Sequence, residues 1–291
     1  MLENIRLSFQ GVWSHRLRSF LTMLGIIIGI AAIIAIVSTI KGTNEQIKKN
    51  LIGSGTNTTT VQLTEEGNYP AEMEYGIPKG IPVLDDDMRQ QLADIDHVKD
   101  ASLYVSRTQV DYIYYNDTSL SGGQLIGADS HYLGTCGYIM KRGRGFTDSD
   151  YEKYRKVAVI DSVAADSLFG DANPVGKTID IKGEPFIVIG VIEESTAFSP
   201  VINSVEDYYT YVYNDGSASG IVVIPDVDWN IVQQYDEPQN AKLLADSTDN
   251  MTSVGKAAQT LLNETVTSKS IKYRAANMNE TAEESQQVSA T

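Results

Sequence analysis

Carboxylates are the most numerous side chains in this sequence that could act as general acids, general bases or metal ligands. The chain of 291 residues has 38 Asp and Glu residues. Close pairs such as Asp148/Asp150 and Glu193/Glu194 are therefore expected by chance, and we interpret them as solvated surface. The run Asp85–Asp87 would need further oxygen ligands at set spacing to bind calcium. Because a helical pattern follows it, we interpret it as a helix cap that satisfies free N–H groups.

The histidine, cysteine and glycine residues also show no pattern of a metal site, a disulfide or a phosphate-binding loop. His15, His97 and His131 have no ligand spacing, and we expect surface or locally hydrogen-bonded histidines. The single cysteine, Cys136, makes a zinc site improbable and allows no internal disulfide. The glycine-rich run Gly143–Gly145 precedes FTDSD, which predicts a turn and a helix cap.

Recognisable catalytic and nucleotide-binding motifs are missing from the sequence. It has no nucleophile elbow, Walker A motif, H-E-x-x-H, or G-x-G-x-x-G after a strand. We therefore expect no catalytic residue, no metal site and no cofactor site in this chain.

The longest apolar run, residues 20–40, predicts a transmembrane helix. It has no charged side chain, and as a helix it would be about 31 Å long, close to the hydrocarbon thickness of a bilayer. A cleaved signal peptide is the alternative, but it would have a shorter apolar stretch and small residues at a cleavage site. This run instead ends in Ser38, Thr39, Ile40 and Lys41. The sequence favours an uncleaved anchor.

Charges on the two sides of the run predict its orientation. Residues 1–40 hold three basic residues and one acidic residue, which leaves 20 basic and 37 acidic residues, a net charge of −17, for residues 41–291. Positive charge beside a span tends to stay in the cytoplasm. We expect a cytoplasmic N-terminus and an extracytoplasmic domain at residues 42–291. The acidic domain lacks the basic footprint that nucleic-acid binding needs.

The span and its flank contain the candidate site residues. Residues 1–19 show a basic amphipathic helical pattern, expected on the cytoplasmic membrane surface with Trp13, Arg16 and Arg18 as interface anchors. Gly25 and Gly29 form G-x-x-x-G, which lets a partner helix approach closely. The alternative is that glycine is simply frequent in membrane helices.

The domain after the span is predicted to be α+β, with two β-α-β halves that share a sheet covered by helices on one face. The halves are interrupted by a β-rich insert. The first half has strands at 58–63, 101–105 and 109–115 and a helix after Asp85. The second half has strands at 241–246 and 271–274 and a helix from Asp249. In the insert, Asp161 caps a helix, a turn lies at 182–185, and strands are predicted at 157–160, 178–181, 186–191 and 221–224.

This pattern gives a domain plan. It comprises a cytoplasmic amphipathic helix at 1–19, a transmembrane helix at 20–40, a first half at 41–119, an insert at 120–225, a second half at 226–276, and a disordered tail or truncated lead-in to a missing second span at 277–291. Tyrosines cluster in two segments and are interpreted as sheet packing or, alternatively, as a recognition surface for a peptide or apolar ligand. They are Tyr112, Tyr114, Tyr115, Tyr208, Tyr209, Tyr211 and Tyr213.

The order of several motifs resembles the MacB/FtsX-like permeases of ATP-binding cassette (ABC) systems. The motifs are RSFLTMLGIIIGI at residues 18–30, Gly127–Ser130 with Tyr132, Arg142–Thr147 with Asp150, the stretch 157–192, and Ile224-Pro225. The stretch 157–192 is similar to the family's periplasmic core domain nearly throughout. The resemblance covers residues 1 to about 276.

The resemblance implies a porter-like subdomain in two pieces with an inserted sabre-like subdomain. It implies a permease in a bacterial cell membrane for export or mechanotransmission, whose separate ABC ATPase subunit binds and hydrolyses ATP and moves the spans and the outer domain. The other implied partners are a second permease chain, in a homodimer or heterodimer, the membrane, and a peptide or other export substrate.

The resemblance also implies three more spans, yet the sequence has no second apolar run. We expect a truncated piece of a four-span permease or a natural fragment. The rival interpretation is a single-span membrane-anchored binding or sensor protein, and a membrane-anchored hydrolase is a further alternative.

Overall fold

A computed structural model describes residues 16–51, 57–65, 70–71, 73, 76–193, 220–233 and 235–275. It divides into two compact units, Met1–Ile47 and Lys48–Thr291. Predictions for residues 1–15, for the tail 277–291 and for Tyr208–Tyr213 lie outside the described residues.

The first unit consists of the helix α1, Arg16–Leu51, which continues past the boundary between the units. Its segment Phe20–Ile40 is long and apolar enough to cross a membrane, and none of that segment is buried. The described side chains of this segment are exposed, including Ile26 at 62% and Ile33 at 63%. The helix continues beyond the apolar segment, from Lys41 to Leu51.

The second unit is built on one sheet whose described strands number twelve. The strands are β1 (Thr58–Thr64), β2 (Val98–Val110), β3 (Ile113–Tyr115), β4 (Thr118–Ser119), β5 (Gly123–Ala128), β6 (Ile139–Gly143), β7 (Val157–Asp161), β8 (Thr178–Ile181), β9 (Glu184–Glu193), β10 (Ile221–Pro225), β11 (Asn240–Ala245) and β12 (Lys272–Ala275). Their order is β12-β1-β11-β2-β5-β10-β7-β9-β8-β3-β4, and β6 pairs with β9. The pairs β5–β10 and β7–β9 are parallel, and the other pairs are antiparallel.

Short helices connect and cover these strands. They are α2 (Asp86–Ala93), α3 (Tyr132–Thr135), α4 (Asp148–Glu152), α5 (Ser162–Phe169), α6 (Trp229–Val232) and α7 (Met251–Glu264), with 3-10 turns at Asp226–Asp228 and Thr248–Asn250.

One hydrophobic cluster joins α2 and α7 to the β12-β1-β11-β2 end of the sheet. Alternate residues of β1 and β11, such as Val61 and Leu243, point into it, as a pleated strand with one covered face requires. Leu92 of α2 and Leu262 of α7 are fully buried against them. Strands from the start and the end of the domain therefore share one sheet with both helices on the same face.

A second cluster fills the space around β7, β8, β9 and β10. It buries Ile160, Ile181, Phe186 and Ile224 completely and holds the apolar side of α5. A third cluster brings Tyr132 and Cys136 of the α3 region together with Tyr104, Ile126 and Val223 of the strands. The predicted boundaries 41–119, 120–225 and 226–276 stay a prediction.

The predicted helix caps are confirmed. Asp85 accepts a hydrogen bond from the Met88 N–H at 2.9 Å. Asp161 accepts one from the Ala164 N–H at 2.7 Å. Both carboxylates satisfy N–H groups that the first helical turn leaves free.

The predicted turn between β8 and β9 is a two-residue loop, Lys182-Gly183, because Ile181 pairs with Glu184. Both loop residues have positive φ, 56° and 90°. This geometry matches the hairpin turn whose twist suits the flanking strands.

The prediction of one strand at 109–115 is wrong. Gln109 has a φ of 54° and the β2–β5 register shifts between Arg107 and Val110, so β2 ends there and β3 begins at Ile113. β3 then pairs with β8 rather than continuing beside β5. The apolar pattern of the sequence did not reveal this break, because a bulge leaves the residue types unchanged.

Candidate functional site

The predicted helix-packing residues Gly25 and Gly29 lie in α1 with open space beside them. A Cβ built on either glycine meets nothing within 4 Å. The described part of the chain therefore places nothing against this face, and a second helix could approach the backbone there. Of the predicted interface anchors, Arg18 lies in α1 with an exposed side chain and Arg16 begins that helix, while Trp13 lies outside the described residues.

We predict that Gly29→Leu weakens association between this helix and a membrane partner several-fold, because the added side chain separates the two backbones. The measurement is a membrane two-hybrid or cross-linking assay. Ala31→Leu is the matched control, since two positions along a helix point to nearly opposite sides. Equal association in wild type and Gly29→Leu would show that the glycines do not pack against a partner.

Polar side chains of the second unit converge where β5 ends. Asp129, the residue after β5, accepts hydrogen bonds from Ser102 Oγ at 2.8 Å and from the Leu103 N–H at 2.6 Å, both on β2. It also accepts one from the His131 N–H at 3.0 Å. Burial raises the pKa of Asp129, and the hydrogen bonds from Leu103 and Ser102 oppose that rise.

A chain of hydrogen bonds extends this contact toward β1. His131 Nδ1 lies 2.9 Å from Asp100 Oδ1, and Thr135 Oγ1 donates to Asp100 Oδ2 at 3.3 Å. Thr58 Oγ1 on β1 donates to the Thr135 carbonyl at 2.7 Å. We call this set, Asp129, Ser102, His131, Asp100, Thr135 and Thr58, the polar junction. It ties α3 and the end of β5 to β2 and β1.

The prediction for the described histidines is confirmed. His131 belongs to the polar junction, and His97 Nδ1 lies 2.9 Å from Asp246 Oδ2. That hydrogen bond raises the pKa of His97. Both are locally bonded histidines.

The interpretation of Asp150 as solvated surface is wrong. Asp150 has no exposed surface and receives a bidentate contact from Arg144, with Nη1–Oδ2 at 2.6 Å and Nη2–Oδ1 at 3.0 Å. Thr147 donates to it through both its N–H and its hydroxyl, and the contact from the N–H is one half of the capping box of α4. The Arg144 guanidinium, followed by the Thr147 contacts, holds the pKa of Asp150 well below its usual value. Asp148, by contrast, is exposed.

Glycines permit close backbone approach beside this ion pair. A Cβ on Gly143, whose φ is 74°, would lie 2.1 Å from the Ile189 carbonyl oxygen. A Cβ on Gly190 would lie 2.3 Å from the Arg144 carbonyl oxygen. The Arg142–Thr147 motif therefore needs its glycine at 143 to lie against β9.

The segment after β10 packs back on the end of β5. A Cβ on Gly127 would lie 2.6 Å from Cε3 of Trp229, so only glycine leaves room for that ring. Arg107 lies over the Trp229 ring, 5.6 Å from its centroid, and pairs with the buried Glu237.

The contacts of these groups position the backbone. Among the described residues no group of three or more His, Cys, Asp or Glu side chains could hold a metal ion. The carboxylates of the polar junction and of Asp150 are engaged by protein donors. The role that this arrangement supports is structural, because its contacts connect strands that lie far apart in sequence.

Sequence reasoning missed the roles of Asp129, Asp150 and Trp229. The first two stand inside motifs on which the family resemblance rests, so a signal existed for their positions but not for their burial. The described tyrosines include both packed and exposed side chains. Tyr115 packs on Phe169 with ring centroids 4.2 Å apart, and Tyr114 is 40% exposed.

Comparison with protein families matches residues 19–261 to the MacB-like periplasmic core domain. The chain is 35% identical over 269 residues to the uncharacterized ABC transporter permease YvrN of Bacillus subtilis, covering 91% of this chain and 62% of that protein. It is 32% identical over 213 residues to the macrolide export ATP-binding/permease protein MacB of Campylobacter fetus, covering 73% of this chain and 32% of that protein. The chain thus spans only part of the length of these relatives.

Two solved structures share the fold. The extracellular domain of the ABC-type transporter YknZ from Gram-positive bacteria aligns with a TM-score of 0.52 at 21% identity, covering 76% of this chain and all of that one. The periplasmic region of MacB from Actinobacillus actinomycetemcomitans aligns with a TM-score of 0.56 at 20% identity, covering 81% of this chain and 96% of that one.

Proposed function

The chain belongs to the MacB-like periplasmic core domain family, and on that premise we propose that it is the N-terminal part of an ABC-type permease, with its sheet domain outside the cytoplasm. One observation carries the proposal. The family match extends from residue 19, at the start of the apolar segment of α1, to residue 261, near the end of α7. A match that includes both the apolar segment and the sheet domain supports the proposal of an anchor followed by an outer domain.

In this proposal the domain works mechanically. A separate ABC ATPase subunit binds and hydrolyses ATP in the cytoplasm, and its closing moves the transmembrane helices. Residues 20–40 carry that movement to the outer domain, in an export or mechanotransmission system. The family is one of permease domains and not of catalytic enzymes, and the positioning contacts of the described residues fit that role.

The finer architecture follows the same proposal. Residues 41–119 and 226–276 form a porter-like subdomain, and 120–225 form an inserted sabre-like subdomain. The hydrophobic clusters support this division, because one buries residues of 61–103 together with residues of 241–273, whereas another is formed mainly by residues of 120–225. A second permease chain, identical or different, packs against the span at Gly25 and Gly29, and a peptide or similar molecule is the substrate.

Orientation is proposed from charge. Arg16 and Arg18 flank the cytoplasmic end of the span, and the acidic residues 42–291 face the outside of a bacterial cell membrane. Trp13 completes the membrane-interface anchor on the cytoplasmic side.

We predict that the tagged chain, purified from its own bacterium in mild detergent, brings with it an ABC ATPase subunit. Substituting the Walker A Lys of that subunit should abolish ATP hydrolysis by the complex, while the chain alone should hydrolyse no ATP. The control is an unrelated single-span membrane protein with the same tag. Purification without any ATPase subunit would contradict the permease proposal and favour a single-span binding or sensor protein.

A further inference from the structure

The connection between β10 and β11 contains a buried acid with no hydrogen-bond partner. We call its segment Asp226–Val232 the strap. Asp228 in the strap has no exposed surface, and neither of its carboxylate oxygens meets a donor. An ionised carboxylate in such surroundings is unfavourable, because burial removes water and nothing replaces it.

The charged groups around Asp228 do not compensate it. Lys156 is the cation whose field reaches it, but Lys156 Nζ is 2.6 Å from Glu184 Oε2. The Tyr151 hydroxyl donates to the Ala128 carbonyl at 2.9 Å. Two further acids lie nearby: Asp226 is two residues away in the strap, and Asp129 acts on Asp226 from the end of β5.

This acid cluster is not a cation site by geometry, since no described group of His, Cys, Asp or Glu side chains could hold a metal ion. A proton is the simplest cation that satisfies a buried lone carboxylate. Burial raises the pKa of Asp228 to about 6. Burial, followed by the negative charge of Asp129, also raises the pKa of Asp226 to about 6.

The strap is attached to the sheet through the buried side chains of Trp229 and Val232. The Trp229 ring fills the space that Gly127 leaves open, in the same buried cluster as Val105, and the guanidinium of Arg107 lies over it. The indole Nε1 has no hydrogen-bond partner, so burial alone holds the ring in place. A strap seated by two apolar side chains, next to one buried acid, can respond to the charge of that acid.

We propose that the strap is a proton-controlled latch, which stays on the sheet while Asp228 is protonated and loosens when Asp228 loses its proton to solvent. The strap is the first part of the connection from β10 to β11, so loosening it would free the link between the two parts of the sheet on either side of β5. The latch would report the acidity of the compartment that contains the domain. This inference does not depend on the proposed permease function.

The pKa of Asp228 in the seated and in the loosened strap decides how the equilibrium between these two states changes with pH. In the loosened strap Asp228 meets water and titrates near its ordinary pKa of 3.8, whereas in the seated strap its pKa is about 6. Protonation therefore favours the seated state, and that preference is lost as pH rises from about 4 to about 6 and stays lost above. Asp228 alone predicts that the loosened population rises about tenfold between pH 5 and pH 7.

The test is hydrogen exchange of the strap amides in the full chain in detergent, expressed as protection factors at pH 5 and pH 7. Wild type should lose about tenfold in protection, and Asp228→Asn should keep its pH 5 protection at pH 7. Amides of β1 and β11 serve as the internal reference. Asp236→Asn, an exposed acid in the same connection, is the matched control and should behave as wild type.

Two additions keep the result decisive. The pKa of His97 is raised by its hydrogen bond to Asp246, so protonation of His97 also favours the folded state at lower pH. His97→Gln removes this second pH-dependent group. In Trp13→Phe, Trp229 is the single tryptophan, and its emission should shift to longer wavelength between pH 5 and pH 7. If Asp228→Asn does not fold, Asp228→Leu removes the charge with an apolar side chain of similar size. Unchanged protection in wild type, or an equal loss in the charge-free variant, would overturn the latch.

Discussion

Asp150→Asn should lower the stability of the outer domain by about 3 kcal/mol at pH 7, because it weakens several hydrogen bonds to a buried charge. Asp150 is fully buried, it is paired with Arg144, and Arg155 Nη1 lies 3.5 Å from it. The amide cannot accept both guanidinium contacts and the two Thr147 contacts that the carboxylate accepts. For a domain of this size, the melting temperature should fall by about 6–12 °C. The measurement is thermal and urea unfolding of the purified chain in detergent, followed by Trp229 fluorescence in a Trp13→Phe background.

Asp148→Asn is the matched control, because Asp148 is an exposed acid in the same helical turn. It should change stability by less than about 0.5 kcal/mol. The lowered pKa of Asp150 also determines how its contribution to stability changes with pH. A lowered pKa in the folded state means that the contribution of Asp150 is present at neutral pH and is lost as pH falls below about 4. The two substitutions having equal effects at pH 7 would show that the buried ion pair does not hold this loop.

Gly143→Ala should destabilise the same domain by about 3 kcal/mol, for two reasons that add. The φ of 74° is unfavourable for any residue with a Cβ. The new Cβ would also lie 2.1 Å from the Ile189 carbonyl oxygen, so β6 and β9 would have to separate. The hydrogen bond from the Arg144 N–H to that oxygen, 3.0 Å long, would be disturbed.

Gly176→Ala separates the two reasons. Gly176 has a φ of 84°, yet a Cβ there meets nothing within 4 Å. It should cost only about 1 kcal/mol, the conformational part of the effect. Urea unfolding of both variants measures the difference. If Gly143→Ala were no worse than Gly176→Ala, the close approach of β6 to β9 would be wrong.

Local elements were predictable where one residue type has one dominant physical role. The apolar run at 20–40, the caps at Asp85 and Asp161, and the Lys182-Gly183 turn all depend on near neighbours in sequence. The strand at 178–181 was located with the same bounds for this reason.

Features that depend on distant partners were not predictable. β5 and β6 were missed, since β5 is identified by pairing with β2 and β10, and every residue of β6 is exposed. Asp150 was assigned to the surface because close pairs of acids are expected by chance in a chain with 38 of them, and its burial depends on the contact with Arg144. Burial of Asp228 likewise requires the return of the strap to the end of β5.

The family resemblance supplied what periodicity could not. Its motifs at 127–130 and 142–150 turn out to lie where the polar junction and the Arg144–Asp150 pair hold the sheet together. Motif order therefore identified positions under tertiary constraint, and the structure gives the physical reason for each.

Cysteine labelling across the membrane tests the central claim, an outer domain anchored by residues 20–40, most directly. In a Cys136→Ser background, a cysteine is placed at Ser121, an exposed position between β4 and β5, or at Ser14, before the span. An impermeant maleimide applied to intact cells should label the cysteine at position 121 at once, and the one at position 14 only after lysis. Labelling of position 14 in intact cells, with position 121 protected until lysis, would contradict the account.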